Sequence, residues 1–517
     1  MQGPQPLENV TLKTLLALAL CSASLSAQAS LVRENGVLGE ALTYQLTGNP
    51  GEFTLLMPSL NNGPTPLGII DPTDPRSMDV GFELFNLWIF GALDGAGQAQ
   101  ITVPLSLDPS LVGIAIFAQF VTADGVGSLF DDISNYTAFR LSAPGTVTAA
   151  VEDHVEQIDG HTSTTLIDGR VLMAGGGTFA GTALDGFHLF DPQTGSFSAT
   201  TGQMQSARAA HTATRLADGR VLLLGGADEN GDVLATGDIW DPVTGLATPI
   251  PNMSAPRTQH SATLLNDGRV FVAGGLENFD LADPLAAIGS AMASTAIYDP
   301  GTNSWSGGPN MPLPRFGHGA TILPSGRVLL TCGVEVPSLF GLPLPEISND
   351  CRRYDPVANS ILSAAAVNGA RVYHGQTALP DGRIMLAGGA DGSLITLVIN
   401  TIATARVYDE SGNSWTNVAS LNSPRAYPNL VLAGTSVVAV GGLGNVDLET
   451  GEGAPEDTID VSTNSGSSWT TPASLSLSRL LATASVIDAG KRVLVTGSGD
   501  NGSGGATPDV TVDVFTP

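Results

Sequence analysis

The sequence predicts an all-β chain: a seven-bladed β-propeller of four-stranded sheets, preceded by a small, immunoglobulin-like β-sandwich. Three observations predict it. The phrase "HSATLLNDGRVFVAGG", from His260 to Gly275, returns along the chain at intervals of roughly 50 to 60 residues. Within each copy the run before the glycine pair is apolar at successive positions, which marks a strand covered on both faces. The composition, with 62 Gly and 33 Pro in 517 residues, suits many short strands joined by tight turns.

In chain order, residues 1–29 read as an export signal. Lys13 precedes the apolar stretch "TLLALALC", and "AQA", ending at Ala29, places small residues at the cleavage positions. The stretch is too short to anchor in a bilayer. The expectation is a released protein, secreted or held at the cell surface or in the periplasm, with no membrane insertion after cleavage. Residues 30–146 carry no repeat. Runs such as "ALTYQLTG", "EFTLLMP", "MDVGFELFNLWIF" and "LVGIAIFAQFVTA" read as strands of a sandwich, with Trp88 and the phenylalanines around it in its core.

Residues 147–517 hold the repeat. Copies begin at His161, His211, His260, His318 and His374, and two weaker ones end at Gly442 and Gly499. In each, "DG" between apolar runs is a hairpin turn, because Gly accepts the positive φ that the turn demands. The glycine pair lets backbones approach closely where the second strand ends. A third strand closes on an aromatic-Asp-Pro triplet: Phe190-Asp191-Pro192, Trp240-Asp241-Pro242, Tyr298-Asp299-Pro300 and Tyr354-Asp355-Pro356. A fourth strand often carries Trp, as at Trp305, Trp415 and Trp469. The chain ends on a third strand, "VTVDVFTP", so the segment Thr146–Gln157 is expected to return and supply the missing fourth.

These features resemble the kelch repeat family of exported bacterial type: the double Gly, the aromatic-Asp-Pro strand end and the Trp six or seven residues on. The resemblance spans about residues 150 to 517. It implies a propeller and leaves activity open.

The charge is strongly acidic, with 49 carboxylates against 21 Lys plus Arg. Such a surface repels phosphate backbones, so nucleic acid is excluded as a partner class. Two cysteines remain after the signal, Cys332 and Cys351, on neighbouring strands of one blade. In an exported chain they are expected to form a disulfide, with two buried free thiols as the alternative.

Function would sit where the loops enter the innermost strands. An arginine precedes six of those strands: Arg208, Arg257, Arg315, Arg371, Arg425 and Arg479. Histidine follows in four, His211, His260, His318 and His374. His161 matches without its Arg, and Pro428 and Ala482 stand where the last two copies lack His. A ring of these side chains at the channel mouth could bind an anionic or polyhydroxy ligand. The alternative is that each bonds backbone carbonyls of a neighbouring blade, since a residue serving one reaction would be unique. Tyr373 and Tyr427 break the repeat, standing where other copies have Ala210, Gln259 and Gly317.

Tyr373-His374 is similar to the Tyr-His copper-ligand pair of the galactose oxidases, themselves kelch propellers. The resemblance implies those two residues as ligands. The family's earlier Tyr, its cross-linking Cys and its C-terminal His have no counterpart here, and two ligands hold a catalytic copper poorly. Two acidic loops, "ADENGD" with Asp228, Asn230 and Asp232, and "SGDNGSGG" with Asp500 and Asn501, have oxygen-ligand spacing but lack a complete calcium loop. No catalytic residue, metal or cofactor is assigned. The reading is a monomeric, non-enzymatic module binding a protein or glycan at the channel mouth. A carbohydrate-active enzyme of kelch type, copper oxidase-like or a sugar epimerase, is the alternative, and a purely structural surface protein the third.

Overall fold

The computed structural model describes residues 28–70, 72–124, 129–154, 158–178, 182–280, 283–394, 398–447, 452–479, 481–497 and 511–517. The expected export signal, residues 1–27 of its 29, and the Asp500 loop lie outside the described residues. No described helix is long and apolar enough to cross a membrane. The chain forms two compact units.

In the first unit Ser30–Glu34, Ala41–Thr47 and Gln98–Pro104 form one antiparallel sheet. Phe53–Ser59 pairs with Ile89–Ala92 on one side and Ala115–Ala123 on the other. Leu42, Tyr44, Leu46, Leu56, Met57 and Phe120 are buried. The run "MDVGFELFNLWIF" is not one strand. Ser77–Val80 stops at Gly81, a short 3-10 turn covers Phe85–Leu87, and a new strand starts at Ile89. Trp88 is half-buried against the edge of Phe82, and Phe90 is 78% exposed, so these two lie at the surface, while Met78 and Val80 at the start of the run are buried in the core.

Among its described residues the second unit contains seven four-stranded antiparallel sheets. We number the blades by their innermost strands: Thr162–Thr165, Thr212–Arg215, Ser261–Leu264, Gly319–Ile322, Gly375–Ala378, Asn429–Ala433 and Thr483–Ile487. Each innermost strand packs against the next, and the seventh packs against the first. The second strands, among them Val171–Ala174, Val221–Leu224 and Val270–Ala273, are buried at every position. That is the consequence of blade packing on both faces.

Local chemistry shapes each blade. In the "DGR" hairpins the Asp carboxylate accepts from the Arg backbone N–H and its guanidinium, as Asp218 does from Arg220. Ser325 replaces that Asp in blade 4. In the aromatic-Asp-Pro turns the Asp accepts from the N–H two residues on, at Val243 and Val357. Trp305, Trp415 and Trp469 each donate Nε1 to a carbonyl of the preceding blade's exit segment, Pro251, Ala365 and Ala419, at 2.7–2.9 Å. The glycine pairs fit where backbones approach closely. A Cβ on Gly175 would lie 2.5 Å from the Arg208 carbonyl, and one on Gly176 2.8 Å from that of Asp159, both at positive φ.

The ring closes where the start and the end of the repeat region meet. Thr146–Ala149 pairs antiparallel with Asp513–Thr516 and forms the outer strand of blade 7. The expected segment therefore does supply the missing strand, over the first four residues of its range.

The expected disulfide is absent. Cys332 and Cys351 are both free and fully buried. The register sets Thr331, not Cys332, opposite Cys351, while Cys332 takes the place of the first glycine at φ 56°. The two thiols share a hydrogen bond, and burial pushes the Cys332 thiol well up.

Candidate functional site: the loop-bearing end of the propeller

Loops joining fourth to first strands and second to third strands emerge at one end of the ring. The six arginines sit there, and none reaches solvent. Each guanidinium is held inside its own blade rather than a neighbouring one. Arg208 donates Nη1 to the carbonyls of Gly225 and Thr236, both at 2.9 Å, and Nη2 to the Thr236 hydroxyl and to Asp238, both at 3.0 Å. Arg257 reaches Gly274 and Ser294, and Arg371 reaches Gly388 and Thr404, in the same pattern. Arg425 pairs with Asp460, Arg479 with Asp513, and Arg315 with Asp350 and Glu335. Burial lowers Arg257 and Arg371 to about 10, so both stay charged at neutral pH. Burial likewise raises the Asp238 carboxyl, with Arg208 opposing it. These cations tie the end of the second strand to the start of the third. As donors to an outside anion they are unavailable.

Their energetic weight differs by blade, which gives a test. Arg208→Met leaves Asp238 buried without its counter-ion and should cost about 3–5 kcal/mol. Arg371→Met leaves only backbone carbonyls and the Thr404 hydroxyl short of donors and should cost about 1–3 kcal/mol. Urea unfolding of the two variants checks the order, and equal losses would refute the assignment.

The histidines link blade to blade. His211 Nε2 lies 3.0 Å from the Thr162 hydroxyl, His260 3.0 Å from Thr212, and His318 2.9 Å from Ser261. Each hydroxyl thus follows the histidine of the preceding blade. His374 meets Thr331 at 2.8 Å, because Gly319 offers no hydroxyl, and His161 meets Thr496 and Thr483 across the ring closure. Burial depresses all five: His161, His260, His318 and His374 to about 3, and His211 well below its ordinary value. They are neutral imidazoles at pH 7.

The residue just before each histidine position lines the mouth. Gly160, Ala210, Gln259, Gly317, Tyr373 and Tyr427 all have positive φ between 52° and 62°. Their backbones bond from blade to blade, Ala210 N–H to Gly160 O, Gly317 to Gln259, Tyr373 to Gly317 and Tyr427 to Tyr373. Most of this ring is small. Tyr373 and Tyr427 are the exception: their rings stack at 4.1 Å with an 18° interplanar angle. The two hydroxyls share a hydrogen bond, and burial raises both phenols.

The stack adjoins a second cluster that sequence reasoning missed. Second-to-third-strand loops of blades 3 to 6 carry the helix Pro284–Gly289 and the strand pairs Val334–Glu335/Glu346–Ile347, Ala390–Ser393/Val398–Thr401 and Leu443–Asp447/Glu452–Pro455. Leu276, Phe316, Val334, Ile347, Val372 and Ala426 form its buried centre, with Tyr373 and Tyr427 packed on it. A hairpin, Ser338–Leu339 with Leu342–Pro343, projects from this rim. At its tip Phe340 is 97% exposed, flanked by exposed Leu339 and Leu342. The only sequence signal was loop length, with apolar residues where a solvated loop carries polar ones.

The Tyr373-His374 pair is engaged internally, the phenol with Tyr427 and the imidazole with Thr331. Among the described residues no group of three or more His, Cys, Asp or Glu is placed to hold a metal ion. In the "ADENGD" loop Asp228 accepts from the N–H groups of Asn230 and Asp232, a turn closed on itself.

No protein-family model matches the chain. Kelch-like protein 40 of Mus musculus is 27% identical over 171 residues, 33% of this chain. The chain spans about a quarter of that relative's length, 25%. Among solved structures, a fungal alcohol oxidase of the AA5 family in complex with copper superposes with a TM-score of 0.54 at 16% identity, covering 72% of this chain and 76% of that one. The structure of YjhT gives 0.47 at 14% identity, covering 62% of this chain and all of that one, 100%. The oxidase likeness shows the shared propeller architecture and nothing of chemistry.

Proposed function

The chain is a kelch-repeat β-propeller, and on that footing we propose that it is a non-enzymatic binding module acting through its loop-bearing end. The kelch-type fold supports a protein-interaction role or a galactose oxidase-like one. What favours binding is the Tyr373–Tyr427 stack set against the apolar rim of blades 3 to 6, with Phe340 carried at its tip. These are non-repeating features of that end, and they are contact surface rather than acid–base chemistry. Exposed aromatic and aliphatic anchors beside a rigid platform suit a protein or glycan ligand. A monomeric state and export to the cell exterior belong to the same reading, the export supported by Lys13, the apolar stretch after it and the small residues at Ala27 and Ala29.

The test is a protein and glycan array probed with the mature chain and two variants. Phe340→Ser should weaken each hit about tenfold or more, as loss of a central anchor does. Val243→Ser, at an exposed turn on the opposite end, should change nothing. Loss of binding in the second variant with retention in the first would sink the proposal.

A further inference from the structure

Blade 1 lacks the arginine that the other six blades share. Ile158 occupies its place: Asp159 and Gly177 exchange N–H···O bonds just as Ala209 and Ala227 do beside Arg208. The third strand confirms the alignment, because His188 stands opposite Met173 where Asp238 stands opposite Leu223. Gly175 N–H bonds Gly186 O at 3.1 Å, as Gly225 N–H bonds Thr236 O at 3.1 Å. In blade 1, therefore, the backbone of the arginine socket is preserved while its occupant is not.

The missing side chains leave space. A cavity of about 290 Å³ lies there, lined by Ile158, Gly175, Asp185, Gly186, Phe187 and, in the place of Asp238, His188 among others. Two of its walls are the residues whose counterparts, Gly225 and Thr236, accept from Arg208 through their carbonyls. Gly186 in place of Thr236 removes a side chain and widens the socket. Thr200 Oγ1 is buried without a hydrogen-bond partner. The Gly175 and Gly186 carbonyls and the Asp185 carboxylate supply acceptors, an aliphatic and aromatic wall lies alongside, and the formal charge of the whole chain is −28. Each of these favours a ligand that brings N–H donors, positive charge and an alkyl stem.

We propose that the blade 1 cavity binds an alkylguanidinium group, an arginine side chain presented by a ligand in the pose that the chain's own arginines adopt in the other blades. The source is either a small arginine derivative or an arginine of a protein partner; both present the same group. The inference goes beyond the binding face proposed above and stands on the comparison of blades alone.

The test titrates the full chain with N-acetylarginine methylamide, methylguanidine and, as the neutral isostere, N-acetylcitrulline methylamide, read by calorimetry. The arginine probe should bind at one saturable site, weaken as salt rises, and exceed the citrulline probe about tenfold or more. An arginine probe well above methylguanidine indicates a whole side chain, as a protein partner would present it; equal affinities indicate small guanidines. Ile158→Arg refills the socket from within and should abolish binding while raising the melting temperature. Asp185→Asn, at a half-buried wall, should weaken binding about fivefold and serves if Ile158→Arg does not fold. Citrulline binding as tightly as arginine, no saturable binding of any guanidine, or undiminished affinity in both variants would overturn the proposal.

Discussion

Deleting Thr146–Ala149 should lower the melting temperature by about 10 °C or more and broaden the transition. The strand joins residues near the start of the propeller to the last strand of the chain, so one sheet holds both ends of the ring. Its loss uncovers Val514 and Phe515, now almost wholly buried, and leaves the third strand of blade 7 as an open edge. Exposing roughly 150 Å² of apolar surface costs about 4 kcal/mol at ~25 cal/mol per Å². Each kcal/mol moves the midpoint by about 2–4 °C in a domain of ordinary size. The closure should add more than that area implies, because the same sheet carries the seventh innermost strand, which packs on the first. Calorimetry of the deletion variant is the check. A sequence-scrambled strand of equal length that keeps its apolar positions should restore most of the loss. An unchanged melting curve on deletion would mean that the ring stays shut without its clasp.

This closure was legible in the sequence, as were the blades, because the signals are local and repeat. "DG" turns, glycine pairs and aromatic-Asp-Pro triplets each satisfy a backbone demand within a few residues, and each copy confirms the others. What was not legible depends on which partner a side chain finds. Arg208 was expected to face a ligand or a neighbouring blade, and it folds back on its own, because Thr236 and Asp238 stand near only after the second and third strands pair. Cys332 and Cys351 looked like a disulfide from their positions on adjacent strands. The one-residue offset that sets Thr331 opposite Cys351 appears only in the register. Tyr373 and Tyr427 were singled out as exceptions to the repeat, but their stacking needs consecutive blades brought together at the mouth. The gap before His161 was visible too, yet a missing arginine becomes a cavity only when the six filled sockets are known.

Acidification from pH 7 to pH 5 should destabilise the propeller steeply, before most carboxylates titrate. Burial holds His161, His260, His318 and His374 at about 3 in the folded chain, and His211 is depressed in the same direction. Released into the unfolded chain, each imidazole returns to about 6.5. Between those two values the unfolded state binds more protons, so stability rises with pH and falls as pH drops through 6.5. The loss continues to about pH 3, where the folded state would also take up protons. At pH 5 each of the four held at about 3 contributes roughly 2 kcal/mol of loss, on the order of 8 kcal/mol together and comparable with the whole stability of an ordinary domain, and His211 adds to it in the same direction. Paired aspartates such as Asp218 and Asp267, held low by Arg220 and Arg269, add their own loss only below about pH 4. Urea unfolding at half-unit intervals from pH 7.5 to pH 4.5 measures the slope, and hence the number of protons taken up on unfolding. His260→Asn removes one titrating group from the chain of hydroxyl contacts, so its slope should fall by about one proton even though its stability at pH 7 is lower. A stability that stays flat from pH 7 to pH 5 would show that these imidazoles charge freely within the fold, contrary to their burial between blades.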